Sequence, residues 1–518
     1  MMFFVSIFLI GCSSQNIEEK IKPVVTEQKK DVQAKKQPNS SRNHPRNQHQ
    51  HHRNSKNTNN KPPIHKKTGI HVTPVFSLEG EVSKDPTSIV LISLDTVRAD
   101  SLSLYGGRAE VPNLEKLARR SIVFSQAISH FPETALSHWS MMSGVLPEVH
   151  GNVPGNGGSI YKGPTMAEMA KKHGYATAAI IGGITMTDQA SGFKRGFDVY
   201  DDQFPVDPKD MMREGTKVTE KAVSWIQQHR IKNPSQPFFL FAHYFDAHFP
   251  YTPKAPYDTK YDSSYTGSID GTDAVLRPYR DGKQEPSQRD IDYVKALYDG
   301  EISELDAKIG PLLEEVGEDC IVIVTSDHGE SFEHGYYFNH RAGLWDGIIH
   351  VPLIIQVPEF QQKILFKEQV GLIDLTPTVL SFAGLPLDKN FQGRDLQDEL
   401  KAFQAKSKSS STKDHSVYSI TDPWMPKAQF SVRTSDWKYI QQEDQTLVYQ
   451  LSSDPKEEQN IKQSSDSTVQ KAQKEYNALI DAKSSMQKKV QSHQPNRYIS
   501  DEECKRLEAL GYTTCNQR

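Results

Sequence analysis

Between residue 13 and about residue 80 the chain shows no apolar periodicity, and from Ser88 onward the pattern changes abruptly. Ser88–Leu94 (SIVLISL) is a short, nearly continuous aliphatic run, and similar runs recur at 176–182, 237–242, 320–325 and 352–356. Runs of this length without polar alternation predict strands buried on both faces of a sheet. Between them, helical spacing of apolar residues covers 111–120, 163–173, 209–229, 287–316 and 374–383, the last stopped by Gly384-Leu385-Pro386. Strands alternating with helices predict an α/β domain over residues 85–400, a mainly parallel sheet sandwiched by helices. After a polar stretch at 401–415, period-two segments at Val417–Ile420, Phe430–Thr434, Trp437–Gln441 and Thr446–Leu451 predict a small antiparallel sheet. With a helix-rich tail, this forms an expected C-terminal α+β subdomain over 415–518.

The start of the chain reads differently. Residues 1–12, MMFFVSIFLIGC, form an apolar run too short to span a bilayer and shaped like a signal peptide. Leu9-Ile10-Gly11-Cys12 resembles a bacterial lipobox, although no Lys or Arg precedes the run. That resemblance implies lipidation at Cys12 and an exported, membrane-anchored lipoprotein on the periplasmic side or cell surface. Residues 13–80, rich in Lys, Asn, Gln and His, are expected to be a disordered tether. As a flexible chain of about 60 residues it would average roughly 45 Å end to end. Its His49, His51 and His52 read as solvated linker before they read as metal ligands. A formal charge of -4 over 518 residues argues against a nucleic-acid partner for the whole chain. The four cysteines are too few for a disulfide scaffold. Cys504 and Cys515 flank a predicted helix and could pair in an oxidising compartment, and Cys320 is expected to be inert packing.

In open α/β sheets, ligands bind beyond the carboxyl ends of the strands. Polar clusters stand at three such ends here. Asp95 follows the first run, His243, Asp246 and His248 follow the run at 237–242, and Ser326, Asp327 and His328 follow the run at 320–325. Together they point to a metal held by carboxylates and an imidazole. A fourth segment runs Pro132-Glu133-Thr134-Ala135-Leu136-Ser137-His138 into Ser143-Gly144 and His150-Gly151.

Six motifs in order then resemble the sulfatase family, within the alkaline-phosphatase-like superfamily. They are Leu94–Asp100, the Ser143-Gly144…His150-Gly151 close, Asp246–Tyr251, Ser326–Glu330, Asp374–Thr378, and the pair Val432–Tyr439 with Asp454–Asn460. The resemblance implies a metal-dependent ester hydrolase. One departure is plain. Sulfatases proper carry Cys or Ser in Cys/Ser-x-Pro-x-Arg, oxidised to formylglycine; here Thr134 holds that position, with Leu136 and His138 in place of the Pro and Arg. Threonine is not a substrate for that oxidation. A threonine nucleophile, and Asp327-His328 in place of Asp-Asn, resemble the superfamily's phosphodiesterases and lipid phosphotransferases.

The resemblance implies one divalent ion on Asp95, Thr134, Asp327 and His328, with zinc or manganese favoured by the nitrogen ligand and calcium the third option. Thr134 would attack an anionic sulfate or phosphate ester and carry the transferred group before water removes it. His248 and His340 would bind charge or protonate the leaving oxygen, with Arg341 and His138 as further substrate-binding candidates. For Arg341 and His138, direct contact and support from behind stand as alternatives. Asp246 is expected only to orient His248, and His150 and Asp374 to be structural. Two other readings stand beside hydrolysis: a phosphoethanolamine- or phosphoglycerol-type phosphotransferase, and an inactive relative that binds anionic glycans.

Overall fold

The aliphatic runs become the middle of one sheet. The structure, a computed structural model, describes residues 86–462 except 152–160, 204–211, 405–414, 422–428 and 444, together with isolated positions between 467 and 505. Cys12, the tether with His49, His51 and His52, and the pair Cys504 and Cys515 lie outside the described residues.

The strands in chain order are β1 (Ile89–Leu94), β2 (Ile122–Ile128), β3 (Ala176–Ile180), β4 (Val199–Asp201), β5 (Phe238–Tyr244), β6 (Ile321–Thr325), β7 (Ser331–Glu333), β8 (Tyr336–Asn339), β9 (His350–Gln356), β10 (Ile364–Phe366) and β11 (Val370–Gly371). Nine of them form the main sheet, in the order β10-β2-β9-β6-β1-β5-β3-β4 with β11 added beside β2, while β7 and β8 make a separate hairpin. β1 lies parallel between β5 and β6, every residue of all three being buried. Alternate side chains of β1 feed two cores: Ile89 and Leu91 on one face, Val90, Ile92 and Leu94 on the other. That two-sided burial is why the sequence lacks alternation there. The sheet is mainly parallel, as expected, with one antiparallel member. The run at 352–356 forms β9, which is antiparallel to both β2 and β6, so the sheet is mixed.

On one face, the helices Gly215–Lys232 and Gln288–Val316 pack together against the sheet. Ser287 and Asp290 form a capping box at the start of the longer helix. On the other face lies the ten-residue helix Thr134–Ser143, which buries Trp139, Met141 and Met142.

A second, four-stranded antiparallel sheet follows: β12 (Val417–Ile420), β13 (Gln429–Arg433), β14 (Trp437–Gln442) and β15 (Gln445–Gln450). Its Val432, Trp437, Tyr439 and Val448 pack on Phe131 and Leu136, which bracket Thr134. A buried ion cluster holds the same sheet to the segment before β9. Lys438 Nζ lies 2.5 Å from Asp346 Oδ1 and 2.7 Å from Glu457 Oε1, and Arg433 pairs with Asp346 at 2.8 Å. Both cations come from the Val432–Tyr439 segment, which thus closes on Asp346 and Glu457. Among the described residues no helix is long and apolar enough to cross a membrane.

Candidate active site

The three central strands deliver the polar residues. Asp95 follows β1, His243 is the penultimate residue of β5, and Asp327-His328 follow β6. Because β5 and β6 both neighbour β1, these residues arrive side by side. One oxygen each from Asp95 and Asp327 and one nitrogen from His328 lie within 4.8 Å of one another, and all three residues are fully buried.

Three buried atoms in this group have no hydrogen-bond partner: Asp95 Oδ1, Asp327 Oδ2 and His328 Nε2. Orphaned buried polar atoms are costly unless something else satisfies them. The imidazole shows what that is. His328 Nδ1 faces the Gly329 carbonyl at 3.0 Å. A carbonyl only accepts, so Nδ1 carries the hydrogen and Nε2 presents its lone pair, the state a metal ligand needs. Burial, then the adjacent Asp327 carboxylate, push Asp95 well above the usual carboxylate range. Two buried acids and a lone pair converging on one point fit a divalent cation.

The surroundings hold this geometry. Asp95 Oδ2 accepts from His243 Nε2 at 3.0 Å. Asp327 Oδ1 accepts from the His328 N–H at 2.9 Å and the Thr96 N–H at 3.3 Å. Thr96 sits at φ 59, in the left-handed region that a β-branched residue rarely adopts, and its hydroxyl donates to Asp95 O at 2.7 Å. Strain of this kind is retained where surrounding contacts overdetermine it.

Thr134 opens its helix directly after Glu133 and is fully buried, with its hydroxyl hydrogen-bonded to the Asp95 carboxylate. A helix N-terminus carries partial positive charge, which favours an oxyanion at this position. Ser137, one turn on, donates to the Asp327 carbonyl at 2.7 Å and fastens the helix to the β6 loop.

Beside the cluster stand two more imidazoles. His340 stacks on His328 with ring centres 4.1 Å apart, and His248 meets His340 edge-on at 5.5 Å. His340 Nδ1 faces the Pro132 carbonyl at 2.7 Å, and His248 Nδ1 the Phe249 carbonyl at 2.9 Å. Both are therefore Nδ1–H tautomers with Nε2 as the acceptor. Burial first, then nearby positive charge, holds both below the usual histidine range, His248 at about 3.

The same segment settles what the chain is related to. Residues 87–385, more than half of the 518-residue chain, match the Sulfatase family. The chain belongs to the sulfatase family. Residues 332–485 also match the C-terminal part of N-sulphoglucosamine sulphohydrolase. This sulfatase-family hydrolase is 24% identical to Arylsulfatase K of Xenopus laevis over 451 residues, 77% of this chain and 83% of that protein. It is 23% identical to an arylsulfatase of Clostridium perfringens over 444 residues, 72% of this chain and 90% of that protein. Its match to Arylsulfatase K of Bos taurus, at 28% identity, covers 48% of this chain and 52% of that protein. Among solved structures, BT4656 in complex with its substrate D-glucosamine-2-N,6-O-disulfate superposes with TM-score 0.60 at 18% identity, covering 80% of this chain and 99% of that one. A phosphonate monoester hydrolase of Agrobacterium radiobacter gives TM-score 0.61 at 17% identity, covering 77% and 96%.

Within this sulfatase fold, Asp95, Thr134, Asp327 and His328 meet, and His248 and His340 line the same place. Arg341 reaches Glu133 at 3.9 Å, its side chain 11% exposed. His138 does not face outward. Its Nδ1 bonds the Thr134 carbonyl at 2.7 Å and its Nε2 the Ser93 hydroxyl at 2.8 Å, so both ring nitrogens are engaged inside the protein. It braces the start of the Thr134–Ser143 helix from within the protein. Asp246 likewise turns away, its Oδ1 accepting from Lys308 at 2.7 Å and the Gly215 N–H at 2.9 Å, which ties two helices to the β5 end. The residue with an unassigned role is His243. The sequence places it among the polar residues at the end of the run at 237–242 without a role, and the register pairing Ser93 with His243 sets its ring beneath Asp95.

Proposed function

We propose that this sulfatase-family hydrolase cleaves a sulfate ester with Thr134 as nucleophile and one divalent ion held by Asp95, Asp327 and His328. The observation that carries the reading is the convergence of three unpartnered ligand atoms beside a buried hydroxyl that donates to one of those same carboxylates. A cation bound there would supply Lewis-acid charge, favouring loss of the Thr134 proton. Zinc or manganese suits a site of two oxygens and one nitrogen.

The protein's own part is as follows. Thr134 Oγ forms a bond to sulfur as the bond to the leaving alcohol breaks, and the sulfuryl group rests on the threonine as an ester. Water then attacks that ester and restores the hydroxyl. Nε2 of His248 and His340 takes the proton that Thr134 Oγ gives up and passes it to the leaving oxygen, then takes one from the attacking water and returns it to Oγ as sulfate leaves. His138 and Ser137 keep the helix start in place through the Thr134 and Asp327 carbonyls.

Phosphate esters are the second reading, favoured by one observation: threonine stands where a formylglycine precursor would. An ordinary ester on Thr134 must be removed by in-line attack of water, the chemistry that phosphoryl transfer uses.

The test is an assay of the full chain on p-nitrophenyl sulfate, p-nitrophenyl phosphate and bis-p-nitrophenyl phosphate, with zinc, manganese or calcium added. The expected result is metal-dependent turnover of the sulfate ester, reduced by about 10³-fold or more in Thr134→Ala. Unchanged turnover in that variant overturns the mechanism, and faster turnover of a phosphate ester selects the second reading. No turnover of any ester favours an inactive glycan-binding relative. We further propose export and anchoring through Cys12; loss of labelled-palmitate incorporation in Cys12→Ala is the expected outcome.

A further inference from the structure

Arg280 is a cation with little to hold it. It ends the helix Asp273–Arg280, which packs on β8, the strand leading into His340. The side chain is 8% exposed. A guanidinium offers five N–H donors, and here the Nε donor is buried without a partner. The nearest acid is Asp281, at 3.9 Å from Nε. The guanidinium instead lies over the Phe249 ring, 4.7 Å from its centre. Phe249 follows His248 directly.

Other arginines in the fold do not look like this. Arg98, 4% exposed, is matched by Asp100 at 2.7 Å and Glu333 at 2.8 Å, and Arg433 by Asp346 at 2.8 Å. Burying an unpaired charge is costly, so such a group persists where a ligand completes it.

Its surroundings locate the ligand. Phe249, on which Arg280 lies, directly follows His248, whose ring meets His340 at 5.5 Å, and the Asp273–Arg280 helix packs on the strand that leads into His340. Tyr336 opens that strand. Tyr336 in turn accepts from the Ala342 N–H at 3.0 Å, which fixes the loop that carries Arg341. The cation therefore stands on the His248–His340 side of the cluster, where the part of a substrate beyond the reacting ester would lie.

We propose that Arg280 binds a second anionic group of the substrate, a carboxylate or a second sulfate, and so makes this enzyme selective for doubly anionic sulfated sugars. The inference rests on the functional reading above. Its planar fork suits either group bidentately, and the Phe249 face pre-orients it.

The test is equilibrium binding to the full metal-loaded chain by calorimetry, which does not depend on turnover. Three probes are used: D-glucosamine-6-O-sulfate, D-glucosamine-2-N,6-O-disulfate and a sulfated uronic acid. The native protein is expected to bind at least one doubly anionic probe more tightly than the singly anionic one. In Arg280→Gln that preference should shrink by roughly 10- to 100-fold, the range for a charge-assisted hydrogen bond, and Arg280→Lys should restore part of it. The probe whose preference collapses tells carboxylate from sulfate. No preference in the native protein, or the same preference in Arg280→Gln, overturns the proposal. Equal weakening of all three probes would place Arg280 on the reacting sulfate and overturn it too. Failure of the hydrolytic reading shows separately, as binding without turnover.

Discussion

The hydrogen bond beneath the metal ligand offers a measurable lever. His243 Nε2 donates to Asp95 Oδ2 at 3.0 Å, and both side chains are fully buried. His243→Ala removes that donor from the carboxylate. A hydrogen bond to a charged group contributes about 1.5–3 kcal/mol. Loss of an outer partner of a metal ligand typically weakens metal binding by about 10- to 100-fold, or about 1.4–2.7 kcal/mol. The two estimates agree, so the metal dissociation constant should rise by one to two decades. His243→Gln can still present an N–H to Asp95 and should recover part of the loss. The assay is competition for zinc against a chromophoric chelator, with circular dichroism to confirm folding and activity measured at limiting and saturating metal. Affinity should also improve as pH rises, because the metal displaces a proton from an Asp95 that burial and Asp327 have pushed up. An unchanged metal affinity in a folded His243→Ala protein would refute this reasoning.

Two further outcomes concern stability. Glu301 is pushed up to about 8 by burial, then by the neighbouring Glu304, from an ordinary 4.5. Between those values the folded chain binds more protons than the unfolded one, so its stability should fall as pH rises from about 4.5 to about 8 and then level; urea midpoints at several pH values should flatten in Glu301→Gln. Lys438→Met strands the fully buried Glu457 carboxylate and should destabilise the fold by about 3–5 kcal/mol, read as a shift in the denaturant midpoint.

Much of the fold was legible because of how its strands are buried. β1, β5 and β6 lie inside a two-sided sheet and read as unbroken aliphatic runs. β2 did not stand out. Its register shifts between Phe124 and Ala127, where Ser125 and Gln126 are half-buried, and polar residues interrupt the run. The direction of β9 is set by its partners and leaves no trace in composition. At the site, Asp95, Asp327 and His328 were readable because strand ends are where open sheets bind ligands. For His138 the sequence left direct contact and support from behind open, because Ser93, which draws the ring inward, is reached only through tertiary packing. The buried charge of Arg280 was equally invisible, since an arginine in a polar insertion carries no sign of whether a carboxylate will meet it.

The most direct test of the account is the anomalous-scattering map of a crystal of the full chain grown with zinc. A single strong peak is expected about 2.0–2.2 Å from Asp95 Oδ1, Asp327 Oδ2 and His328 Nε2, with Thr134 Oγ as its next neighbour. A peak elsewhere, or none at these three atoms, would contradict the claim that they form a metal centre serving Thr134.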